Sequence, residues 1–194
     1  MQQFNQAYYQ HWYGNAKTRA FTSADKVRQA RFVLAYLEQL GVPLKSVVDV
    51  GCGLGHWRDA LAKLAPKLRY TGVEVSPFAC ARFGWIQASA HNFTSTRQYD
   101  LVICQHVLQH LNNRDCARAL ANMATYCRGA LLLEVATKED WEGDVLDKER
   151  TEAHDYLRSV KWYRKQLDPH FVAVGGGLFL ARSADVPLFS LERI

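Results

Sequence analysis

The segment that most constrains the fold is 47–55, which reads Val-Val-Asp-Val-Gly-Cys-Gly-Leu-Gly. A short apolar run ends there in three alternating glycines, and a helical pattern over 56–64 follows at once. This order predicts a buried strand, a tight turn and a helix. Glycine lets the backbone turn sharply at positive φ and leaves room for a ligand against the main chain. Because the amides at a helix start favour electronegative groups, the segment predicts a nucleotide-type cofactor site.

Length and charge narrow the class of protein. The 194 residues suffice for one domain with a full core, and 48% hydrophobic with 22% charged residues is an ordinary globular balance. We predict a single domain over 1–194, with an N-terminal helical lid (1–44), a cofactor-binding core (45–135), and an acceptor-side helix with a terminal hairpin (136–194). The net charge of +5 is scattered, without a run of four basic residues. This pattern favours a solvated, mildly basic surface over a nucleic-acid footprint.

The cysteines and the N-terminus bear on the compartment. The five cysteines are odd in number and include no Cys-x-x-Cys pair, which indicates free thiols in a reducing environment. The first residues lack a basic stretch followed by an apolar one, and no apolar run approaches the roughly 18 residues of a membrane span. The sequence therefore predicts a cytoplasmic protein that does not enter a membrane.

Predicted strands and helices alternate along the chain. The predicted strands are 46–50, 68–75, 85–88, 99–104 and 129–135, with a terminal hairpin of 171–174 and 178–181. The predicted helices are 24–40, 56–64, one from 77, one from about 105, one from 112 or 113 to 127, and 151–167, with 137–150 as a loop. Alternation of this kind implies a parallel sheet covered by helices on both faces, to which the hairpin adds an antiparallel strand.

Polar residues follow three successive predicted strands. Asp49 precedes the glycine turn, Glu74 ends the second strand, and Ser89 and Ala90 follow the third. In open α/β sheets ligands bind beyond the carboxyl ends of the strands, and a carboxylate about 20 residues after the glycines can accept both hydroxyls of a ribose. Ser89 could then lie near the edge of an adenine ring.

The spacing of the glycines separates two cofactor classes. A dinucleotide fingerprint is Gly-x-Gly-x-x-Gly, whereas this chain has Gly51, Gly53 and Gly55, followed by His56. The third glycine is out of register for a hydride-transfer enzyme. A nicotinamide or nucleotide-sugar enzyme on the same scaffold is therefore the less favoured alternative.

Three segments together resemble the class I S-adenosylmethionine-dependent methyltransferases. They are 47–55, the segment Tyr-Thr-Gly-Val-Glu-Val-Ser at 70–76, and Tyr-Asp-Leu-Val-Ile-Cys-Gln-His-Val-Leu-Gln-His-Leu at 99–111. The resemblance covers about 45–135. It implies an α/β fold with three αβα layers, Rossmann-like, built on a seven-stranded, mostly parallel sheet with a C-terminal antiparallel hairpin strand. It also implies methyl transfer from S-adenosylmethionine, leaving S-adenosylhomocysteine, by in-line displacement.

The resemblance also implies which residues bind the cofactor. The backbone at Gly51, Cys52 and Gly53 would approach its methionine part, with Asp49 under that turn. Glu74 would take the ribose hydroxyls, and Ser89 stands where the family often has Asp. The full implied set is Asp49, Gly51, Cys52, Gly53, Glu74, Val75, Ser89, Ala90 and Gln105, joined by Tyr13 and Arg19 from the N-terminal lid.

Two histidines follow the fourth predicted strand. His106 and His110 are four residues apart on a predicted helix and would share a face. Family members with a similar segment place a histidine near the acceptor, so both are candidates for a base or a substrate contact; structural histidines are the alternative. The zinc-protease pattern His-Glu-x-x-His lacks its Glu here, and no metal site is predicted.

The acceptor side is predicted on the late helix. His154, Arg158 and Trp162 are spaced by four on the predicted helix 151–167 and would form one face; a solvated face with an aromatic anchor is the alternative. No Asn/Asp-Pro-Pro-Tyr segment follows the fourth strand, no Pro-Cys pair occurs, and no RNA-binding module is recognisable. The sequence therefore favours a small-molecule or peptide acceptor for an N- or O-directed enzyme, acting as a monomer or homodimer. A nucleic-acid methyltransferase and a non-catalytic cofactor-binding partner protein are the alternatives.

Overall fold

The computed structural model describes residues 4–143, 145–148, 150–151 and 156–193. Its strands form one seven-stranded sheet in the order β3-β2-β1-β4-β5-β7-β6. The first five strands are parallel, and the last two form an antiparallel hairpin beside β5. The strands are β1 Ser46–Val50, β2 Arg69–Glu74, β3 Ile86–Gln87, β4 Tyr99–Gln105, β5 Cys127–Glu134, β6 Phe171–Gly175 and β7 Leu178–Ala181. The predicted fold class is confirmed.

Helices cover both faces of this sheet. The α-helices are α1 Gln6–Tyr9, α2 Ser23–Gln39, α3 His56–Leu64, α4 Pro77–Phe83, α5 Asn113–Tyr126, α6 Lys138–Glu142 and α7 Val160–Leu167. A π-helical turn, Gln10–Gly14, continues α1, and 3-10 turns lie at Leu108–His110 and Ser190–Glu192. Within the described ranges, no helix has the length and apolar character needed to cross a membrane.

Two hydrophobic cores hold the layers together. One contains Val33 and Leu37 of α2 and Trp57 of α3, packed on one face of the sheet. The other contains Leu120 of α5 and Tyr163 of α7 on the opposite face. A fully buried side chain of this size stabilises the fold by roughly 1.5–3 kcal/mol. Because both faces are covered, a ligand reaches the sheet at the ends of its strands.

The long helix predicted over 151–167 is wrong. Helix α7 begins only at Val160, where the Ser159 side chain accepts a hydrogen bond from Trp162 N. Arg158 lies before the helix and forms an isolated parallel bridge with Thr137. Its guanidinium bonds backbone carbonyls of the turn after β4, which holds this segment extended. Residues 152–155, and His154 with them, lie outside the described residues.

Two further local predictions are corrected. The segment after β5 is not entirely a loop, because Thr137 and Asp140 form a capping box that starts α6. The helix predicted from Gln105 is also wrong. Strand β4 continues through Gln105, His106 has φ 55°, and only a 3-10 turn follows. His106 and His110 therefore do not share a helical face.

The N-terminal lid begins with only a short helix, α1. Phe4 precedes α1, and Trp12 lies in the π-helical turn that continues it. The five cysteines are all buried and free. No group of three or more His, Cys, Asp or Glu side chains in the described part of the chain could hold a metal ion.

Candidate cofactor and acceptor site

The glycine turn between β1 and α3 is held in a backbone conformation that favours glycine. Gly51, Gly53 and Gly55 have φ of 81°, 50° and 80°. Gly51 N donates to Val73 O at 2.7 Å, which ties the turn to β2. A Cβ at Gly51 would lie 2.2 Å from Val107 Cγ2. The missing side chain thus lets the loop after β4 pack against the turn.

Glu74 connects the end of β2 to this turn. Its carboxylate accepts hydrogen bonds from Gly53 N at 2.8 Å, Val75 N at 2.8 Å and Ser76 N at 2.9 Å. Only 5% of the residue is exposed. The carboxylate is therefore fixed in orientation and faces the glycine turn, at the position expected for a ribose-binding acid.

Tyr9 covers the same turn from above. A Cβ on Gly53 would lie 3.4 Å from Tyr9 Cε1, and the buried Tyr9 ring stacks on Phe78 with centroids 6.1 Å apart. Burial together with the nearby Glu74 charge raises the pKa of its hydroxyl. Tyr9 therefore closes the turn on the lid side, next to the predicted contact Tyr13, whose ring centroid lies 6.0 Å away.

His56, the first residue of α3, is a polar group that sequence analysis missed. Its Nε2 atom is buried and has no hydrogen-bond partner among the described residues. Burial lowers its pKa, and its ring lies 5.7 Å from Tyr13 and 5.2 Å from Phe21. Buried polar atoms usually have a hydrogen-bond partner, so an unpartnered one fits a site where a bound ligand supplies that partner. Its place directly after the glycines was the signal available in the sequence.

Asp49 lies under the turn, as expected. It is 3% exposed, and its Oδ2 accepts a hydrogen bond from the Tyr70 hydroxyl at 2.6 Å. Burial raises its pKa to about 7. Trp85 supports the turn from the same side, because its Nε1 donates to Gly53 O at 2.9 Å. The positive turn φ angles, Glu74, and the unpartnered His56 nitrogen together fit a bound nucleoside cofactor.

A buried polar network adjoins this pocket at the ends of β4 and β5. Lys26 Nζ donates to Gln105 Oε1 at 2.7 Å and to Gln29 Oε1 at 2.9 Å. Trp57 Nε1 also donates to Gln105 Oε1, and Gln29 Nε2 donates to Glu134 Oε1. Of this network only Gln105 was predicted from the sequence, because the other members come from α2, α3 and β5.

The remaining predicted cofactor residues lie around the end of β2 and in the lid. Ala90 is buried and Ser89 half-buried, and the segment is tied to β2 because Ala88 N donates to Glu74 O at 3.0 Å. Val75 is 41% exposed. Arg19 is exposed, and the structure does not bring its side chain into the cluster around Glu74.

The two candidate histidines lie on different sides of the site. His106 has a positive φ, which is uncommon for a residue other than glycine, and its Nε2 lies 3.8 Å from Glu134 Oε2. His110 packs its ring against Phe4, with centroids 5.4 Å apart. His106 thus borders the buried network, whereas His110 borders the N-terminal lid.

Arg158 and Trp162 contact each other, but not through a shared helical face. Arg158 is only 4% exposed. Its guanidinium donates to Leu108 O at 3.1 Å, to Leu111 O, and to Asn113 Oδ1 at 2.8 Å, and it lies 5.0 Å from the Trp162 ring. These bonds anchor the turn after β4. The shared helical face predicted for Arg158 and Trp162 therefore does not form.

The strand order and the glycine turn facing a strand-end carboxylate define a Rossmann-like protein of the class I methyltransferase type. The model of the methyltransferase domain family matches residues 18–171, and the chain belongs to that family. The resemblance found in the motifs is confirmed.

Solved structures show the same fold. An S-adenosylmethionine-dependent methyltransferase from Clostridium acetobutylicum ATCC 824 is similar with a TM-score of 0.67 at 11% identity, over 92% of this chain and 98% of that one. Magnesium protoporphyrin IX methyltransferase from Synechocystis PCC 6803, crystallised with bound S-adenosylmethionine, is similar with a TM-score of 0.58 at 21% identity. The match covers 88% of this chain and 84% of that one.

A curated relative matches part of the chain. The ubiquinone biosynthesis O-methyltransferase of Shewanella halifaxensis is 31% identical over 93 residues, which are 41% of this chain and 39% of that protein. The chain thus spans well under half the length of the curated relatives it matches.

Proposed function

We propose that this chain transfers the methyl group of S-adenosylmethionine to an N or O atom of a small-molecule or peptide acceptor. The observation that carries the proposal is the buried Glu74 carboxylate, 2.8 Å from Gly53 N at the glycine turn. A fixed carboxylate facing such a turn suits the two hydroxyls of a ribose. Membership of the methyltransferase domain family supports the same chemistry.

We place the cofactor along the carboxyl edge of β2, β1 and β4. Glu74 takes the ribose, and Val75, Ser89 and Ala90 border the adenine. Asp49, Gly51, Cys52, Gly53 and Gln105 surround the methionine part, with His56 and Tyr13 above it; Arg19 stays a prediction for the lid. When bound, the cofactor supplies a methyl group on a sulfonium, which is a good leaving group.

The chain's own part is alignment and exclusion of water. Holding two reactants in line can supply several kcal/mol of the barrier. Tyr9 and Tyr13 of the lid cover the turn, and the apolar cores close the sheet faces. His106, beside the buried network, and His110, beside the lid, are proposed to contact the acceptor from two sides, and Trp162 stays a further candidate. His154 stays a prediction outside the described residues.

The names of similar proteins support the acceptor class. They include a magnesium protoporphyrin IX methyltransferase, a plantazolicin methyltransferase crystallised with a monoazolic desmethylPZN analog and S-adenosylhomocysteine, and a ubiquinone biosynthesis O-methyltransferase. Each name describes that protein alone. The chain's lack of nucleic-acid motifs agrees with a small molecule or peptide.

Calorimetry tests the cofactor. We expect S-adenosylmethionine and S-adenosylhomocysteine to bind and NAD not to bind. Glu74→Gln should weaken binding by about 1–3 kcal/mol, because it loses charge-assisted bonds, whereas Glu38→Gln on the exposed face of α2 should leave it unchanged. Binding of NAD alone, or unchanged affinity in Glu74→Gln, would contradict the proposal.

Transfer of a labelled methyl group from the cofactor into lysate fractions then separates small-molecule, protein and nucleic-acid acceptors. Transfer into none of these fractions would instead favour the alternative of a non-catalytic, cofactor-binding partner protein.

A further inference from the structure

A cavity of about 360 Å³ opens beside the buried network. It is lined by Phe21, Asp25, Lys26, Arg28, Gln29 and Phe32. Two aromatic rings form part of its wall, the ion pair between Asp25 and Arg28 lies at its rim, and two network members, Lys26 and Gln29, belong to its lining. A largely apolar wall with a few polar groups suits a small organic ligand.

The Lys26 amine has one position that the network does not use. Two of its N–H bonds go to the carbonyl oxygens of Gln29 and Gln105. The third position carries a proton when the amine is charged and a lone pair when it is neutral. The Phe21 ring centroid lies 4.3 Å from Nζ, and the residue is only 6% exposed. The amine is thus positioned by two fixed acceptors and largely shielded from bulk water.

Charges around Lys26 oppose its deprotonation but do not prevent it. Burial lowers the pKa of Lys26 to about 8, although Glu134, Asp49 and Asp25 each raise it. The Lys26 charge in turn helps to lower the pKa of His56 on α3. An amine of this kind is partly neutral near physiological pH and can accept a proton.

Lys26 lies near the place where the proposed cofactor would present its methyl group. Glu74 fixes the ribose at β2, so the methionine part extends towards β1 and β4 along the carboxyl edge. Lys26 contacts Gln105, the last residue of β4. With the cofactor bound as proposed above, the cavity beside Lys26 would lie on the methyl-donor side, away from the adenine.

We propose that this cavity takes the acceptor as a phenol and that Lys26 accepts the proton of its hydroxyl; this rests on the methyl-transfer function proposed above. The phenol oxygen forms a bond to the methyl carbon while the carbon–sulfur bond breaks and its electron pair stays on sulfur. The hydroxyl proton passes to the neutral Nζ, and the ammonium then releases it to water. A hydroxyl acceptor needs such a base, whereas a neutral amine needs it less.

The first test measures Lys26 directly. The ¹³Cε signal of Lys26, assigned by its loss in Lys26→Met, is titrated by NMR in the whole chain. An apparent pKa near 8 supports the proposal. A pKa above 10 would overturn it, because the amine would then be charged at every working pH.

The second test uses catechol and 4-hydroxybenzoate as acceptors, with aniline as the amine comparison. We expect O-methylation whose rate rises with pH through about 8. Lys26→Met and Lys26→Arg should each lose about 100-fold or more in kcat and lose that pH dependence, with S-adenosylhomocysteine affinity within about threefold of the wild-type value. Arg31→Met, on the exposed side of the same helix, should behave as wild type. Arginine retains the hydrogen bonds but does not give up its proton.

Several outcomes would overturn the proposal. Recovery of the rate in Lys26→Arg would assign Lys26 a structural role. Methylation of aniline alone, or of neither phenol by a chain that binds S-adenosylhomocysteine, would refute the phenolic acceptor while leaving the proposed function intact. A chain that does not bind S-adenosylhomocysteine would instead refute the proposed function itself.

Discussion

The two ends of the central sheet treat a buried aspartate in opposite ways. Asp100, near the amino end of β4, accepts hydrogen bonds from Lys45 N at 2.9 Å, Ser46 N at 2.8 Å and Arg128 Nε at 2.7 Å. Burial alone would raise its pKa, but these donors lower it below the ordinary value. The amino end thus stabilises a charged carboxylate.

Asp49, near the carboxyl end of the adjacent β1, has a poorer set of donors. Both aspartates are 3% exposed, yet the hydrogen bond shown for Asp49 comes from the Tyr70 hydroxyl, and its pKa is raised to about 7. His56 Nε2 and the lowered pKa of Lys26 belong to this same end. The amino end of the sheet thus stabilises the charge of Asp100 with several donors, while the carboxyl end leaves Asp49 and the His56 Nε2 atom short of partners, as ligand sites do.

The largest expected effect is the pH dependence that Asp49 gives to stability. Its folded pKa of about 7 lies above the ordinary 3.8, so between these pH values the folded chain holds a proton that the unfolded chain lacks. The free energy of unfolding should therefore fall as pH rises, by at most about 1.4 kcal/mol per pH unit from this group. Urea unfolding of the cofactor-free wild type and of Asp49→Asn from pH 4 to pH 8 gives the difference between their unfolding free energies. A difference that does not change with pH would contradict the contrast between the two ends of the sheet.

Gly51 tests how tightly the functional end is packed. Gly51→Ala should cost about 2–5 kcal/mol, because its positive φ disfavours a side chain and the new Cβ would meet Val107. Gly41→Ala is the matched control: φ is 73°, and no atom lies within 4 Å of the added Cβ. It should cost only about 1–2 kcal/mol. If both variants lost the same unfolding free energy in urea, the Val107 side chain would have moved aside without destabilising the fold.

Asp100→Asn tests the stabilising end. At pH 7 the variant should lose about 2 kcal/mol of unfolding free energy, because it weakens several charge-assisted hydrogen bonds. The Asp100 contribution is full above about pH 3.8 and is lost as pH falls through its lowered folded pKa. Cofactor affinity should stay unchanged, since the residue lies at the opposite end of β4. A loss of affinity without a loss of stability would contradict the division between the two ends.

The smallest effect is expected at Tyr9. The Glu74 charge helps to raise the pKa of its hydroxyl, so that hydroxyl lies close enough to compete with a ribose for the Glu74 carboxylate. Tyr9→Phe should tighten S-adenosylhomocysteine binding by about 0.5–1 kcal/mol, the value of one net hydrogen bond. Tyr156→Phe, an exposed tyrosine, should bind as wild type. Weaker binding in Tyr9→Phe would mean that the hydroxyl contacts the cofactor itself.

The sequence predicted the position of the glycine turn and Glu74 better than that of the Lys26 network, for a physical reason. The glycine turn and Glu74 belong to short strand-end segments, so local patterns reveal them. The Lys26 network joins residues 79 and 105 positions apart, and no local pattern encodes such contacts. The spacing of Arg158 and Trp162 fits a helix, but bonds from Arg158 to the turn after β4 override that preference. Similarly, His106 and His110 have helical spacing, yet His106 takes a positive φ.

The most direct test of the account is a crystal structure with S-adenosylhomocysteine bound. We expect the ribose hydroxyls on the Glu74 carboxylate and the sulfur directed towards Gln105 and the cavity beside Lys26. A cofactor bound in the reverse direction, or away from Glu74 while that carboxylate still holds Gly53 N, would contradict the assignment of the carboxyl end as the methyl-transfer site.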